Sequence, residues 1–397
     1  MSGTRRKPGR LGPFVDGYRE WLLELGYSPS WVRQLLKDLG HLGRWMSVED
    51  VDAAQLNADR IGAFLAGPGA ARRKRVSGLR GFASLLGYLS EQGITCAPEP
   101  VPPDPVEELV GRYRRWLVKD RALAPATVLR YETLALRFLR GGAEPVAVED
   151  LSGADVSAFL LGEFSRLSAG SAKGRVTELR SLFRFLYLEG LTPRCLADAV
   201  PPVAGWRDTT VPSGMAAGDI ERLLGSCDRS SLVGVRDFAI LMLLARLGLR
   251  SVEVSRLELG DLDWRAGEIT VRGKGGRQDR MPLLSDAGDA VAAYLAAAPG
   301  RAGTRRVFLT VRAPRRPIRP DLVGDVVERA CRRAGLPGAG AHRLRHGLAT
   351  QMLRQGAALT DISQVLRHSD LATTAIYAKV DLGRLRQVAR PWPGVSR

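Results

Sequence analysis

The sequence predicts a mainly α-helical protein carrying one small antiparallel β-sheet. Three features of the chain lead there. Leu344, Leu348 and Met352 stand four apart, the spacing of a helix with one buried face. A single stretch, Asp263–Leu284 (DWRAGEITVRGKGGRQDRMPLL), instead alternates and turns on Gly273, Gly275 and Gly276, the pattern of a hairpin. Two proline-rich stretches, Ala97–Pro105 and Val200–Gly214, divide the helical pattern into three segments, because proline blocks helix continuation and favours extended chain.

Composition narrows the function classes. With 397 residues and a hydrophobic content of 45%, the chain has material for several packed cores. Its longest strongly apolar run, Phe238–Ala245 (FAILMLLA), is too short to span a bilayer, and no secretory signal opens it. The 4 cysteines (Cys96, Cys195, Cys227, Cys331) form no CxxC pair and read as thiols in a reducing cytoplasm. Lys and Arg number 59 against 42 Asp and Glu, a net charge of +17, which points to a polyanionic partner.

In order along the chain, 1–10 reads as a basic flexible tail and 11–96 as a first helical module. A linker (97–105), a second module (106–200) and a second linker (201–214) follow, then a third segment over 215–390 and a tail over 391–397. The two modules share three blocks in the same order, which predicts an internal repeat. Phe14–Val32 parallels Leu109–Val128, each with an aromatic pair (Tyr18/Trp21, Tyr113/Trp116) before a Ser-Pro-Ser or Ala-Pro-Ala helix restart. Val48–Ala66 parallels Val148–Leu161, and Arg72–Gly93 parallels Ser171–Gly190. The last helix of each carries a basic set, Arg72, Arg73, Lys74, Arg75 and Arg80 in one, Lys173, Arg175, Arg180 and Arg184 in the other. Charge runs usually form solvated faces. In a cationic protein, two matching ones are expected to face nucleic acid.

The third segment opens with a buried helix, Asp237–Leu247, apolar nearly all round and ended by Gly248. The hairpin follows, and helices return over Ser285–Ala298, Pro320–Gly335 and from Ala341. Thr360 and Ser369 are expected N-caps of two short helices.

The stretch Gly340–Ala357 (GAHRLRHGLATQMLRQGA) is unusual. At about 100° per residue, His342, Arg345 and His346 share one side, and Leu344, Leu348 and Met352 form an apolar stripe beside it. Their groups converge near a helix N-terminus, where the free N–H groups favour an anion. Guanidinium is a planar fork for phosphate oxygens, and imidazole passes protons near neutral pH. A zinc site on His342, His346 and His368 is the rival reading, but there is no HExxH glutamate and two arginines would repel a dication. Upstream, Arg250 and Glu253 sit at i,i+3 after the buried helix, and Lys274 stands at the glycine-flanked hairpin tip.

Taken together, these stretches resemble the tyrosine recombinase (phage-integrase) family. The residues are Arg250 in LGLRSVEVSRLELGDLDW, Lys274 in GKGGRQDRMP, His342 and Arg345 in HRLRHGLAT, and His368 and Tyr377 in LRHSDLATTAIYAKV. The resemblance implies that 106–390 is one complete recombinase, a SAM-like core-binding bundle followed by an α-rich catalytic domain. The first module would then be an additional SAM-like copy. It further implies that Tyr377 attacks a DNA phosphodiester, giving a 3′-phosphotyrosyl link and a free 5′-hydroxyl. His342 would be the base, Arg250 and Arg345 the clamp on the phosphate oxygens, and Lys274 the acid for the leaving oxygen. His368 would bond the phosphate, and Glu253 would position Arg250 or His342. Arg367, where many relatives have glycine, is expected to add a phosphate contact.

No metal, nucleotide or other cofactor is implied. The partners would be double-stranded DNA with specific sites and further copies of the chain, a tetramer at synapsis. The place would be the cytoplasm, on the nucleoid. Leu382, Leu385 and Val388 would form a partner-docking helix. Integration, excision and transposition of a mobile element all fit. So do relaxation of one duplex as a type IB topoisomerase, DNA binding without catalysis and, more remotely, metal-dependent hydrolysis.

Overall fold

The computed structural model describes residues 9–67, 78–95, 104–141, 147–165, 167, 169–203, 214–273, 276–298, 303–368, 370 and 372–377. Two compact units are present, one formed by 1–96 with 210–397 and the other by 97–209.

In the first unit, α1 (Val15–Glu24), α2 (Pro29–Val48), α3 (Ala58–Ala66) and α4 (Leu79–Glu91) close on a core of their own. Along α2 the buried positions Val32, Leu35, Leu39, Leu42 and Met46 recur at helical spacing, so one stripe faces inward. The expected restart is real. Pro29 opens α2, and the Ser28 hydroxyl caps it by accepting from the Trp31 N–H at 3.3 Å.

The second unit holds α5 (Pro105–Lys119), α6 (Pro125–Arg140), α7 (Gly153–Phe164) and α8 (Ala169–Leu188) around another core. Pro125 opens α6 as Pro29 opens α2. The two cores use aromatic residues alike. Tyr18, Trp21 and Tyr88 have ring centroids 6.2, 5.5 and 5.8 Å apart; Tyr113, Trp116 and Phe185 stand at 6.0, 5.1 and 5.8 Å.

From Gly214 on, α9 (Ala217–Gly225), α10 (Leu232–Arg246) and α11 (Ser251–Arg256) lead into the sheet. The strands β1 (Leu262–Asp263), β2 (Glu268–Arg272) and β3 (Gln278–Pro282) pair antiparallel in chain order. Next come α12 (Ser285–Ala297), α13 (Pro320–Arg333), α14 (Ala341–Arg354), α15 (Leu359–Leu366) and α16 (Ala372–Ala375). The buried helix starts earlier than its apolar run, because the Ser231 hydroxyl caps Gly234 N–H and the first turn is already helical. In β2 the alternation is obeyed: Ile269 and Val271 are buried, and Met281 lies opposite Ile269.

Two expectations are corrected. The sheet gains a strand, β1, too short to show a period of two in sequence. Thr360 does not cap α15. The helix begins at Leu359, and the Asp361 carboxylate accepts from Ala358 N–H at 3.2 Å, closing the first turn before Thr360 can. Ser369, Leu382, Leu385 and Val388 lie outside the described residues.

Within the first unit, Arg315 N–H donates to the Leu25 carbonyl at 2.9 Å. Among the described residues no helix is long and apolar enough to cross a membrane.

Candidate active site

Helix α14 is placed by close approach of backbone. A Cβ on Gly347 would sit 2.6 Å from the Met215 carbonyl oxygen, and Met215 N–H donates to Arg343 at 3.1 Å. Only glycine lets the segment entering α9 lie against the helix. Arg345, on the first turns of α14, is 3% exposed and donates to the carbonyls of Gly248 and Leu366. Leu366 ends α15, so its carbonyl lacks a helical partner, and Gly248 turns the chain after α10 with φ +59°. One guanidinium thereby joins three chain segments, and its charge lies at a helix C-terminus, where the dipole favours a cation.

Arg250 directly precedes α11. Its guanidinium donates to the Glu253 carboxylate at 2.7 Å, and its backbone N–H donates to the other oxygen at 2.8 Å. Glu253 thus closes the first turn of α11 and holds Arg250 with the same carboxylate. A second guanidinium, that of Arg367, reaches Glu253 at 2.8 Å. The expected phosphate contact by Arg367 is therefore corrected. Its side chain is 4% exposed and turned inward, because the buried Glu253 charge attracts it.

Tyr377 is 1% exposed, its ring packed with Ala349, Leu353, Ile362 and Leu366. The phenol oxygen lies 2.7 Å from His346 Nδ1, and the His346 ring is 5.7 Å from that of His342. The direct partner of Tyr377 is therefore His346. His368 Nδ1 lies 2.7 Å from the buried Thr374 hydroxyl, which anchors that ring beside the same cluster.

Electrostatically the site is short of negative charge. Arg250, Arg345 and Arg367 lie around the Glu253 carboxylate, with Asp279 acting on Arg367 from further off. Burial, then the neighbouring arginines Arg250 and Arg367, pull Arg345 down to about 9. Burial pushes the Glu253 carboxyl up, but Arg367 and Arg250 outweigh it and hold the group below its ordinary range. Burial raises Tyr377, opposed by Arg345 and Arg250. His342 and His346 are lowered, by burial first, and His368 is pushed down to about 4 by burial and the arginines. A group that binds protons more readily unfolded makes stability rise with pH. The histidine contribution is therefore complete above the ordinary value of 6.5 and lost as pH falls towards about 4. The melting temperature is expected to drop between pH 6.5 and pH 4.5, a slope that His368→Asn flattens. An unchanged slope in that variant would contradict the burial of this ring.

The structure brings together Arg250, Glu253, His342, Arg345, His368 and Tyr377, all expected from the sequence. Lys274 lies outside the described residues; on either side of it in the chain, Gly273 N–H donates to the Arg277 carbonyl at 2.7 Å. In the sequence His346, one turn after His342 on the same helix side, reads only as a group converging on the helix mouth and as a ligand of the rival zinc site; its bond to Tyr377 is not expected from it. Arg367 had no sequence signal for its carboxylate partner. Among the described residues, no group of three or more His, Cys, Asp or Glu side chains is placed to hold a metal ion.

The phage integrase family model matches residues 214–384. A Sinorhizobium fredii protein named as integrase/recombinase y4rA is 38% identical over 401 aligned positions, 99% of this chain and 97% of its own. Tyrosine recombinase XerC of Rhodospirillum centenum is 32% identical over 317, covering 77% of this chain and 90% of its own. The chain belongs to the tyrosine recombinase family. The fold agrees: a XerH site-specific recombinase bound to palindromic difH substrate aligns with TM-score 0.55 and 19% identity, over 73% of this chain and 97% of its own. A tyrosine recombinase is an enzyme of site-specific DNA recombination that cleaves and rejoins strands.

The basic residues of this recombinase's helical modules divide. Arg72, Arg73, Lys74 and Arg75 lie outside the described residues, and Arg80 is on α4 with its side chain outside them. On α8, Arg175 pairs with the buried Glu178 at 2.8 Å, and Arg180 donates to the Val200 carbonyl at 2.8 Å. Both guanidiniums are committed to holding the bundle. Lys173 and Arg184 are exposed on the same helix.

Proposed function

We propose that this recombinase exchanges the ends of a mobile element through a 3′-phosphotyrosyl intermediate on Tyr377, with no metal or nucleotide. The observation that carries the proposal is the phenol held 2.7 Å from His346 in the same chain as the carboxylate-poor arginine cluster. The missing negative charge is supplied by the scissile phosphate. Arg250 and Arg345 face its non-bridging oxygens and stabilise the charge that grows on them. The Tyr377 oxygen attacks phosphorus while its proton passes to His346, a neutral imidazole kept ready by its lowered affinity for protons. His342 meets His346 edge-on as the next group in line, and His368 bonds the phosphate. The 5′-oxygen leaves with a proton from Lys274. The new ester keeps the energy of the old one, so an incoming 5′-hydroxyl rejoins the strand by reversal.

Each chain carries one Tyr377 and each exchange of two duplexes breaks four strands, so four copies act together. The chain-wide similarity to an integrase/recombinase favours recombination over relaxation of a single duplex. Residues 106–200 and 215–390 each contact DNA in the cytoplasm, and 11–96 is a second copy of the core-binding module; the matched aromatic trios support that reading.

The test is recovery of SDS-resistant protein–DNA adducts from cells expressing the protein, with sequencing of the attached ends. Adducts on 3′ ends that form again in vitro in excess EDTA are expected. Attachment at 5′ ends, or cleavage that a chelator abolishes and zinc restores, overturns the proposal. Relaxation of a supercoiled plasmid without exchanged junctions would favour the topoisomerase reading. Neutralising Arg72, Arg73 and Arg75 together is expected to weaken binding and flatten the salt slope by about 0.9 per lost phosphate contact. It should also shorten the footprint on one flank. Equal footprints for 106–397 and the full chain would mean that the first module contacts another protomer instead.

A further inference from the structure

We infer that Arg367 is a positioning residue for strand cleavage: by sharing the Glu253 carboxylate, it leaves Arg250 charge available to the phosphate and fixes β3 beside it. The inference rests on the role proposed above for Arg250.

The residue occupies a poor backbone position for its type. Its φ is +54° and ψ +47°, the left-handed region in which a Cβ is strained and glycine is at ease. Its guanidinium is also buried, with Nε lacking any hydrogen-bond partner. Both features oppose folding, so the bonds this side chain does make must hold it there. Among the described residues they are three: Glu253 at 2.8 Å, the Val365 carbonyl at 2.9 Å and the Met281 sulfur at 3.0 Å.

Each has a consequence at the site. Glu253 already takes two bonds from Arg250, and alone with it would form a neutral pair, the arrangement that least attracts a phosphate. With Arg367 present, two guanidiniums share one carboxylate, and the surplus positive charge falls on Arg250, whose side chain is 33% exposed and so reachable by DNA. Arg367 itself is engaged by Glu253, Val365 and Met281. Its bond to Met281 ties β3, the strand that follows Lys274 in the chain, to the turn leading into His368. A single buried side chain thus connects Arg250, the hairpin and the His368 turn.

The variants Arg367→Gly, Arg367→Met and Arg367→Lys in the full chain separate this role from others. Glycine keeps the left-handed turn and removes the guanidinium; methionine keeps bulk and removes charge; lysine keeps charge and loses the fork. The assay is single-turnover cleavage of a nicked duplex carrying the recovered site, at saturating DNA, alongside affinity as a function of salt and melting temperature. Glycine and methionine are expected to slow cleavage about tenfold with unchanged affinity and salt slope, and lysine to restore part of the rate. In a Glu253→Gln background, Arg367→Gly is expected to cause no further loss, since the carboxylate is the shared element.

Wild-type cleavage by both the glycine and methionine variants overturns the inference, as does additivity with Glu253→Gln. A salt slope lower by about 0.9 would instead make Arg367 a phosphate ligand and overturn it equally. If Arg250→Ala cleaves normally, it is the proposed role of Arg250 that fails.

Discussion

Tyr377→Phe is expected to abolish covalent capture of DNA while leaving DNA binding and the fold in place. Removal of a covalent nucleophile lowers turnover by on the order of 10⁴-fold or more. The ring stays packed with Ala349, Leu353, Ile362 and Leu366, so the only local loss is the bond to His346, about 1 kcal/mol. The hydroxyl is bonded to His346, so affinity for DNA should not depend on it. A suicide duplex, nicked near the scissile phosphate, should give an SDS-resistant band with wild type only. Trapping by the phenylalanine variant would show that another side chain attacks.

Arg345→Ala should have the second largest effect, and on two properties at once. The Gly248 and Leu366 carbonyls would be left buried and unpaired, at about 1–3 kcal/mol each, so the melting temperature should fall by several degrees. Cleavage should drop about 10²–10³-fold from the loss of one donor to the developing charge. Arg345→Lys separates the two. A point charge can satisfy one carbonyl but not both, so stability should recover in part while cleavage stays low. Near wild-type cleavage by the lysine variant would remove Arg345 from the phosphate clamp.

The sequence was informative wherever the signal is local. Helical spacing marked α14, an all-round apolar run marked α10, proline marked the openings of α2 and α6, and glycines marked the β2–β3 turn. Each signal is carried by residues within one or two turns of each other, and backbone preference acts over that distance. The family's residue order added Arg250, His342, Arg345, His368 and Tyr377, which the fold gathers from three separate stretches into one cluster.

What the sequence by itself determined, then, is the helical class, the position of the hairpin and the set of groups able to do the chemistry. Tertiary structure alone decided which group meets which. His342 and His346 are equivalent by spacing, yet only His346 reaches Tyr377, because packing of α16 against α15 brings the phenol to that turn of α14. Arg367 reads as a surface phosphate ligand, yet a carboxylate 114 positions away draws it into the interior. Arg175 and Arg180 read as a DNA-facing pair and are held by Glu178 and the Val200 carbonyl. The physical reason is the same in each case. A buried charge or carbonyl must be paired whatever its partner's distance in sequence, and periodicity holds no record of that partner.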